Sequence, residues 1–123
     1  MAPFERLADE DFCYLTTTGR VSGRPHTIEI WFGLRDGVLY LLSGGGDRAD
    51  WVKNIRRSGA VRLKVGSRSL EARARVLRAG TDEDALARRI LDEKYMGWRE
   101  GRKLSSWARG ALPVAIDLPR SRS

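Results

Sequence analysis

Short connections between alternating apolar runs restrict the fold of this chain more than any other feature. Residues 61–65 alternate apolar and charged side chains, and after Gly66 and Ser67 a second alternating run covers residues 70–76. Alternation with period two is typical of strands that bury one face. A crossover between parallel strands needs a dozen or more residues. The two runs are therefore predicted to form an antiparallel hairpin.

The rest of the chain repeats this pattern. Strands are predicted at residues 12–18, 26–32, 38–43, 61–65, 70–76 and 112–118, and helices at residues 3–11, 47–57 and 81–97. Asp47 and Thr81 are the expected N-caps of the second and third helices. In the second strand, His26, Ile28, Ile30 and Phe32 are assigned to the core face, and Thr27, Glu29 and Trp31 to the other. This order favours a small antiparallel barrel with helices packed outside, a mainly β, α+β class.

Length and cysteine content restrict the organisation. A chain of 123 residues is expected to form one domain over residues 1–119, followed by a short mobile tail at residues 120–123. The single cysteine, Cys13, lies in an apolar run and is interpreted as a core residue of a protein in a reducing compartment. No stretch is apolar and long enough for a membrane span, so a soluble, cytoplasmic protein is expected.

Charge points to an anionic partner. Lys and Arg number 23 against 16 Asp and Glu, a formal net charge of +7. Basic residues gather at a Gly- and Ser-rich turn between the first two strands, which contains Arg20, Ser22, Arg24 and His26. Backbone N–H groups, hydroxyls and guanidinium groups within a few residues suit a phosphate or polycarboxylate, and the adjacent aromatic strand suits a flat ring. A solvated basic surface is the alternative interpretation.

Other candidate site residues keep two interpretations each. The glycines at positions 44–46 form either a flexible link or a backbone surface that approaches a ligand closely. Trp51 and Asn54 share one side of the second helix, as core residues or as ring contacts. No second histidine accompanies His26, so no metal site is expected. Tyr95 is either a packing residue or part of a substrate groove.

The pieces TTTGR-x-SG-x-P, IWF, DG, SGGG, W-x-x-N-I and V-x-L-x-V-G occur in this order over residues 12–78. Together they resemble the deazaflavin-dependent nitroreductase family, part of the split-barrel flavin-binding superfamily that includes pyridoxamine-phosphate-oxidase-like proteins. The resemblance implies a six-stranded split β-barrel and a homodimer. It also implies an oxidoreductase that passes hydride from reduced coenzyme F420 to a quinone, nitro compound or activated alkene.

The resemblance also implies site residues. The cofactor-binding positions carried over are Thr18, then Arg20, Ser22, Arg24 and His26 for the anionic tail, Glu29, Trp31, Ser43, Gly44, Gly45 and Gly46 beside the deazaflavin, and Trp51 and Asn54 on the helix. The proton that completes the reduction comes from solvent or from Tyr95.

Three alternatives remain open from sequence. The same fold holding FMN would use the basic turn for a single phosphate. A non-catalytic carrier of a flavin, deazaflavin or tetrapyrrole would present the same groove. A nucleic-acid-binding barrel would use Trp31, Trp98 and Trp107 as stacking platforms, but the basic residues cluster at a turn instead of following a strand, and no nucleic acid is expected.

Overall fold

One seven-stranded antiparallel sheet organises the chain. The computed structural model describes residues 5–119, and the predicted tail at 120–123 and Phe4 lie outside them. The strands are β1 (Cys13–Thr18), β2 (Pro25–Ile30), β3 (Gly33–Arg35), β4 (Val38–Ser43), β5 (Ala60–Val65), β6 (Arg68–Val76) and β7 (Leu112–Asp117). The helices are α1 (Asp50–Arg57), α2 (Asp82–Met96) and α3 (Ser106–Gly110), and Glu5–Asp9 forms a 3₁₀ helix.

The sheet curls around its core as a half-barrel. Its order is β2-β1-β5-β6-β7-β4-β3, so four strand steps separate β1 from β4. At roughly 4.8 Å per step, a flat sheet would hold these strands about 19 Å apart. Leu15 of β1 and Leu41 of β4 nevertheless belong to one buried apolar cluster, together with Val52 and Ile55 of α1. The curl confirms the predicted mainly β class.

A second apolar cluster lies on the outer face of β4 and β7. It joins Tyr40, Leu42 and Ala115 of the strands to Ala87 and Leu91 of α2. Helix α2 begins and ends as predicted, because the Thr81 hydroxyl accepts a hydrogen bond from the Asp84 N–H and Gly97 adopts the left-handed conformation, with φ of 72°.

Strand count differs from the prediction of six because β3, Gly33–Arg35, was not predicted, and the second predicted strand, residues 26–32, ends at Ile30 as β2. The chain bends at Trp31 and Phe32, where the backbone N–H of Phe32 donates to the Tyr95 hydroxyl at 3.0 Å. The Phe32 carbonyl accepts from both the Tyr95 hydroxyl and the Lys94 ammonium at 3.0 Å. Side chains of α2 thus replace strand partners at this point, and β3 begins one residue later.

Two local predictions were wrong. Asp47 does not cap α1: it lies in a short 3₁₀ helix, Gly46–Arg48, and Ala49 precedes α1 without a side-chain cap. His26 is exposed, although its neighbours Ile28 and Ile30 on the same strand face are half-buried. The apolar core does not extend to the His26 end of β2. Within residues 5–119, no helix is long and apolar enough to cross a membrane.

Candidate functional site

The basic turn and α1 enclose a cleft of about 470 Å³ at the edge of the sheet. The sheet order places β2 at that edge, where β1 is its only strand partner within residues 5–119. The lining residues are Thr17, Gly19, Arg20, Val21, Ser22, His26, Thr27, Ile28, Asp50, Trp51 and Asn54. They include five of the predicted cofactor-binding residues: Arg20, Ser22, His26, Trp51 and Asn54. The cleft volume lies within the range of small-molecule sites.

Local hydrogen bonds determine the shape of the turn. The Gly19 N–H donates to the Arg24 carbonyl and the Gly23 N–H to the Gly19 carbonyl, both at 2.8 Å. Gly23 has φ of 74°, a conformation that favours glycine. A Cβ atom on Gly19 would lie 2.7 Å from His26 Nε2 and 2.8 Å from Ser22 Oγ. The lack of a side chain at Gly19 therefore leaves room for both His26 and Ser22 at the cleft.

Asn54 joins the turn to the sheet. Its Oδ1 accepts from the Arg20 backbone N–H at 3.1 Å and from Arg20 Nη1 at 2.9 Å, and its Nδ2 donates to Thr17 Oγ1 at 3.0 Å. Only 3% of Asn54 is exposed. The buried amide is thus bonded to protein groups on both sides. Asn54 shares a face with Trp51 for this structural reason, which the sequence interpretation did not identify.

Arg20 is held on α1 with part of its hydrogen-bonding capacity left over. Its Nη2 contacts Asp50 Oδ1 at 3.2 Å, and its Nη1 also contacts the Asp50 carbonyl at 3.5 Å. A guanidinium group has five N–H donors. The Nε–H and one Nη2–H make no hydrogen bond to residues 5–119. The Arg24 backbone N–H donates to Ser22 Oγ at 3.1 Å, and its guanidinium group makes no hydrogen bond to residues 5–119, but Arg24 does not line the cleft.

A second, smaller depression lies farther along β2. It measures about 260 Å³ and is lined by Glu29, Ile30, Trp31, Leu42 and Trp107. Ile28 of the cleft and Ile30 of this depression are two residues apart on one strand, about 6.6 Å at the usual rise. Glu29 and Trp31 are therefore near the cleft but do not line it.

The rings of Trp31, Tyr95 and Trp107 pack against one another at this depression. The Trp31 and Tyr95 rings stack with centroids 4.3 Å apart and planes 4° apart, and Trp107 meets Trp31 edge-on at 5.5 Å. The Tyr95 hydroxyl accepts from the Phe32 N–H, and its one hydrogen is shared between the Asp11 carbonyl at 2.8 Å and the Phe32 carbonyl at 3.0 Å. Burial raises the pKa of Tyr95 to about 12. This geometry does not favour Tyr95 as the proton donor, because its hydroxyl is engaged by backbone.

Several predicted positions lie away from the cleft. Thr18 is exposed and lines a different depression with Thr16 and Arg62. Ser43 is 2% exposed, and its hydroxyl donates to the Gly46 carbonyl at 3.1 Å. Ser43 is thus occupied internally, a consequence of the tight turn that follows β4.

The three glycines differ from one another. A Cβ atom on Gly44 would meet nothing within 4 Å, and one on Gly45 would make ordinary contact with Ala49 at 3.5 Å. Gly46 has φ of 59°, which requires glycine-like backbone freedom. Backbone conformation accounts for glycine at position 46, but nothing in the described chain requires it at Gly44 or Gly45, so those two remain predicted ligand contacts.

Sequence analysis did not identify Asp50 or Gly19. A signal for Asp50 exists, since it precedes Asn54 by four residues and thus shares its helix face. Gly19 has no comparable signal, because its role depends on how closely His26 approaches it. No group of three His, Cys, Asp or Glu side chains within residues 5–119 is arranged to hold a metal ion.

Comparisons with known proteins agree with this architecture. The family model described as F420H(2)-dependent quinone reductase matches residues 4–119. No curated protein matches the sequence. A solved F420-H2 dependent reductase is 21% identical, with a TM-score of 0.64, covering 86% of this chain and 92% of its own. A domain-swapped dimer is 22% identical, with a TM-score of 0.65, covering 88% and 80%.

The haem storage protein HutZ from Vibrio cholerae has the same fold at 11% identity and a TM-score of 0.72, covering 95% of this chain and 87% of its own. These low identities establish the fold alone. The family match covers nearly the whole chain, including the cleft, the second depression and the helices behind them. The chain therefore belongs to the F420H(2)-dependent quinone reductase family and is an F420H2-dependent reductase.

Proposed function

We propose that this reductase binds the anionic part of coenzyme F420 in the cleft and transfers hydride to a quinone-like acceptor at the second depression. One observation carries the proposal: the cleft brings the cationic turn and an aromatic side chain together at the edge of β2. The family description favours a quinone over a nitro compound or an activated alkene as acceptor.

The residues present fit this coenzyme. Arg20 has two uncommitted N–H donors, and Ser22 and His26 add polar groups at the same wall. Charge-assisted hydrogen bonds from guanidinium suit a phosphate or a carboxylate. Trp51 and Ile28 supply an apolar surface against which a flat ring packs. One site thus offers both kinds of contact that a phosphate-bearing deazaflavin needs.

The coenzyme supplies the hydride when bound, and the chain supplies orientation. Arg20 is fixed by Asn54, so the anion-binding end of the cleft is already shaped before a ligand arrives. Trp31 and Trp107 present apolar ring surface to an acceptor and reduce the space open to water. Positioning two flat molecules along β2 is the main task that this arrangement performs.

We also propose that two chains associate. Phe12, Tyr14 and Trp31 are 37%, 39% and 44% exposed and lie near β2, the edge strand of the sheet formed by residues 5–119. Exposed edges and apolar patches are typically covered by a partner. The dimeric relative supports the same arrangement here. Light scattering should give a mass near twice the 13.8 kDa of one chain; a monomer at micromolar concentration would exclude the dimer. The cytoplasmic location stays a prediction.

The function is tested by titrating the purified protein with F420 and separately with FMN, following fluorescence. Reduced F420 is then mixed anaerobically with a quinone, a nitroaromatic compound or an activated alkene, and the return of oxidised-coenzyme absorbance is recorded. We expect F420 to bind more tightly than FMN and the quinone to be reduced fastest. Tighter FMN binding would contradict the proposed cofactor site. Bound F420 without turnover of any acceptor would indicate a carrier.

A further inference from the structure

We propose that Asp50 is an internal competitor for the Arg20 guanidinium and thereby limits the affinity of the cleft for anions. Asp50 Oδ1 accepts from Arg20 Nη2 at 3.2 Å, and both residues line the cleft. A carboxylate paired with the main cation of an anion site offsets part of its charge and repels an incoming phosphate. The inference rests on the proposed placement of the anionic part of the coenzyme.

Exposure indicates that the Asp50 contact is the replaceable one. The Asp50 side chain is 84% exposed and that of Arg20 only 32%. An exposed carboxylate exchanges its partner for water with little loss, since exposed ion pairs contribute little. The contact therefore yields to a ligand that brings a stronger anion to the same guanidinium.

Asn54 allows the Asp50 charge to be removed without loss of Arg20 placement. The buried Asn54 amide holds both the Arg20 backbone and Nη1, at 3.1 and 2.9 Å. In Asp50→Asn, an amide oxygen still accepts from Nη2, so the substitution removes charge and keeps the hydrogen-bond acceptor. Asn54 thus positions Arg20, and Asp50 lowers the affinity of the cleft for anions.

A purely structural role for Asp50 predicts a different result. Asp50 is an acidic residue in the first turn of α1, where a negative charge stabilises the helix dipole. If this were its only role, Asp50→Asn would lower the unfolding midpoint slightly and leave ligand affinity unchanged. Measurements of ligand affinity and of stability therefore distinguish competition for Arg20 from a purely structural role of Asp50.

The test is a fluorescence titration with oxidised F420 at low and high salt, using the parent, Asp50→Asn and Asp47→Asn. Asp47 is a matched control, because it also lies next to α1 and pairs with an arginine, Arg56, but does not line the cleft. We expect Asp50→Asn to tighten binding about three- to tenfold at low salt and less at high salt. Asp47→Asn should change it less than twofold. No tightening, or equal tightening by both variants, would overturn the inference.

A double-mutant cycle isolates the pair. In an Arg20→Gln background, the gain from Asp50→Asn should disappear, because the cation that Asp50 occupies is gone. A gain that persists would show general electrostatics instead. Inorganic tripolyphosphate, followed by thermal shift on the same variants, gives an independent readout. If the parent bound no F420, the proposed function would fail, while the tripolyphosphate series would still decide the role of Asp50.

Discussion

The two halves of the sheet are covered differently on their outer face. Helices α2 and α3 pack over β4 and β7, where Leu91 and Ala108 are fully buried. Helix α1 packs against β1 from the inner face, whereas Tyr14 and Trp31 remain partly exposed. The cleft and the second depression both border β2. We infer that the helix-covered half supplies stability, whereas the open half supplies the cleft and shares the second depression with Leu42 and Trp107 of the helix-covered half.

Polar contacts follow the same division. In the helix-covered half, Arg88 bonds to Asp84 and to the backbone carbonyl of Ala108, and Ser105 bonds to Asp92 through both its N–H and its hydroxyl. These groups satisfy one another. In the open half, the Arg24 guanidinium and part of that of Arg20 have no such partner within residues 5–119. Unsatisfied donors at a surface are available for a ligand.

The largest expected effect is on stability in the helix-covered half. Leu91→Ala should lower the free energy of unfolding by about 2–5 kcal/mol, because Leu91 is fully buried between α2 and the sheet. Denaturant unfolding measures it, with the exposed Val21→Ala as a control in the open half. F420 affinity of folded Leu91→Ala should match the parent. A matching loss of affinity would mean that the two halves are not separable.

The corresponding change in the open half should affect binding. Replacing Arg20 and Arg24 together with Ala should weaken F420 binding by about 2–4 kcal/mol, through loss of charge-assisted hydrogen bonds. Arg99→Ala with Arg102→Ala removes the same charge from an exposed segment between α2 and α3 and serves as the control. Unchanged affinity in the Arg20 and Arg24 variant at physiological salt would contradict the anion site.

Tyr95→Phe removes the hydroxyl that joins α2 to the backbone between β2 and β3, where the two halves meet. We expect the free energy of unfolding to fall by about 1–2 kcal/mol, because the Phe32 N–H loses its acceptor. Denaturant unfolding and turnover at saturating coenzyme are measured together. A 100-fold loss of turnover with unchanged stability would instead identify Tyr95 as the proton donor.

The smallest effect concerns acid stability. The Arg75 guanidinium holds the pKa values of Glu83 and Asp117 below their usual range. Carboxyl groups with lowered pKa stabilise the fold above their ordinary values, near pH 4, and lose that contribution as the pH falls further. These side chains are 32% and 47% exposed, so we expect about 1 kcal/mol or less.

Unfolding free energies measured from pH 6 to pH 3 test this effect, with Arg75→Met as the comparison. The parent should lose more stability than the variant over that range. Equal losses would show that the ion pairs of Arg75 with Glu83 and Asp117 do not stabilise the fold.

Local patterns predicted most of the fold. Thr81 and Gly97 delimit α2 because capping depends on neighbouring backbone groups, and the hairpin of β5 and β6 follows from alternation and a short turn. The bend at Phe32 was not predictable, since Lys94 and Tyr95, which cause it, are more than sixty residues away. The short helix α3 was missed, because a five-residue helix has too little periodicity to detect.

The sequence by itself determined the chemical character of the site: a cationic turn with an adjacent aromatic strand and helix, because residue types and short spacings are local properties. Only the tertiary structure decided which of these groups act together. It placed Arg20 against Asp50 and Asn54, buried Ser43, and engaged the Tyr95 hydroxyl with backbone. The physical reason is that hydrogen-bonding capacity is shared among partners that the fold brings together from distant parts of the chain.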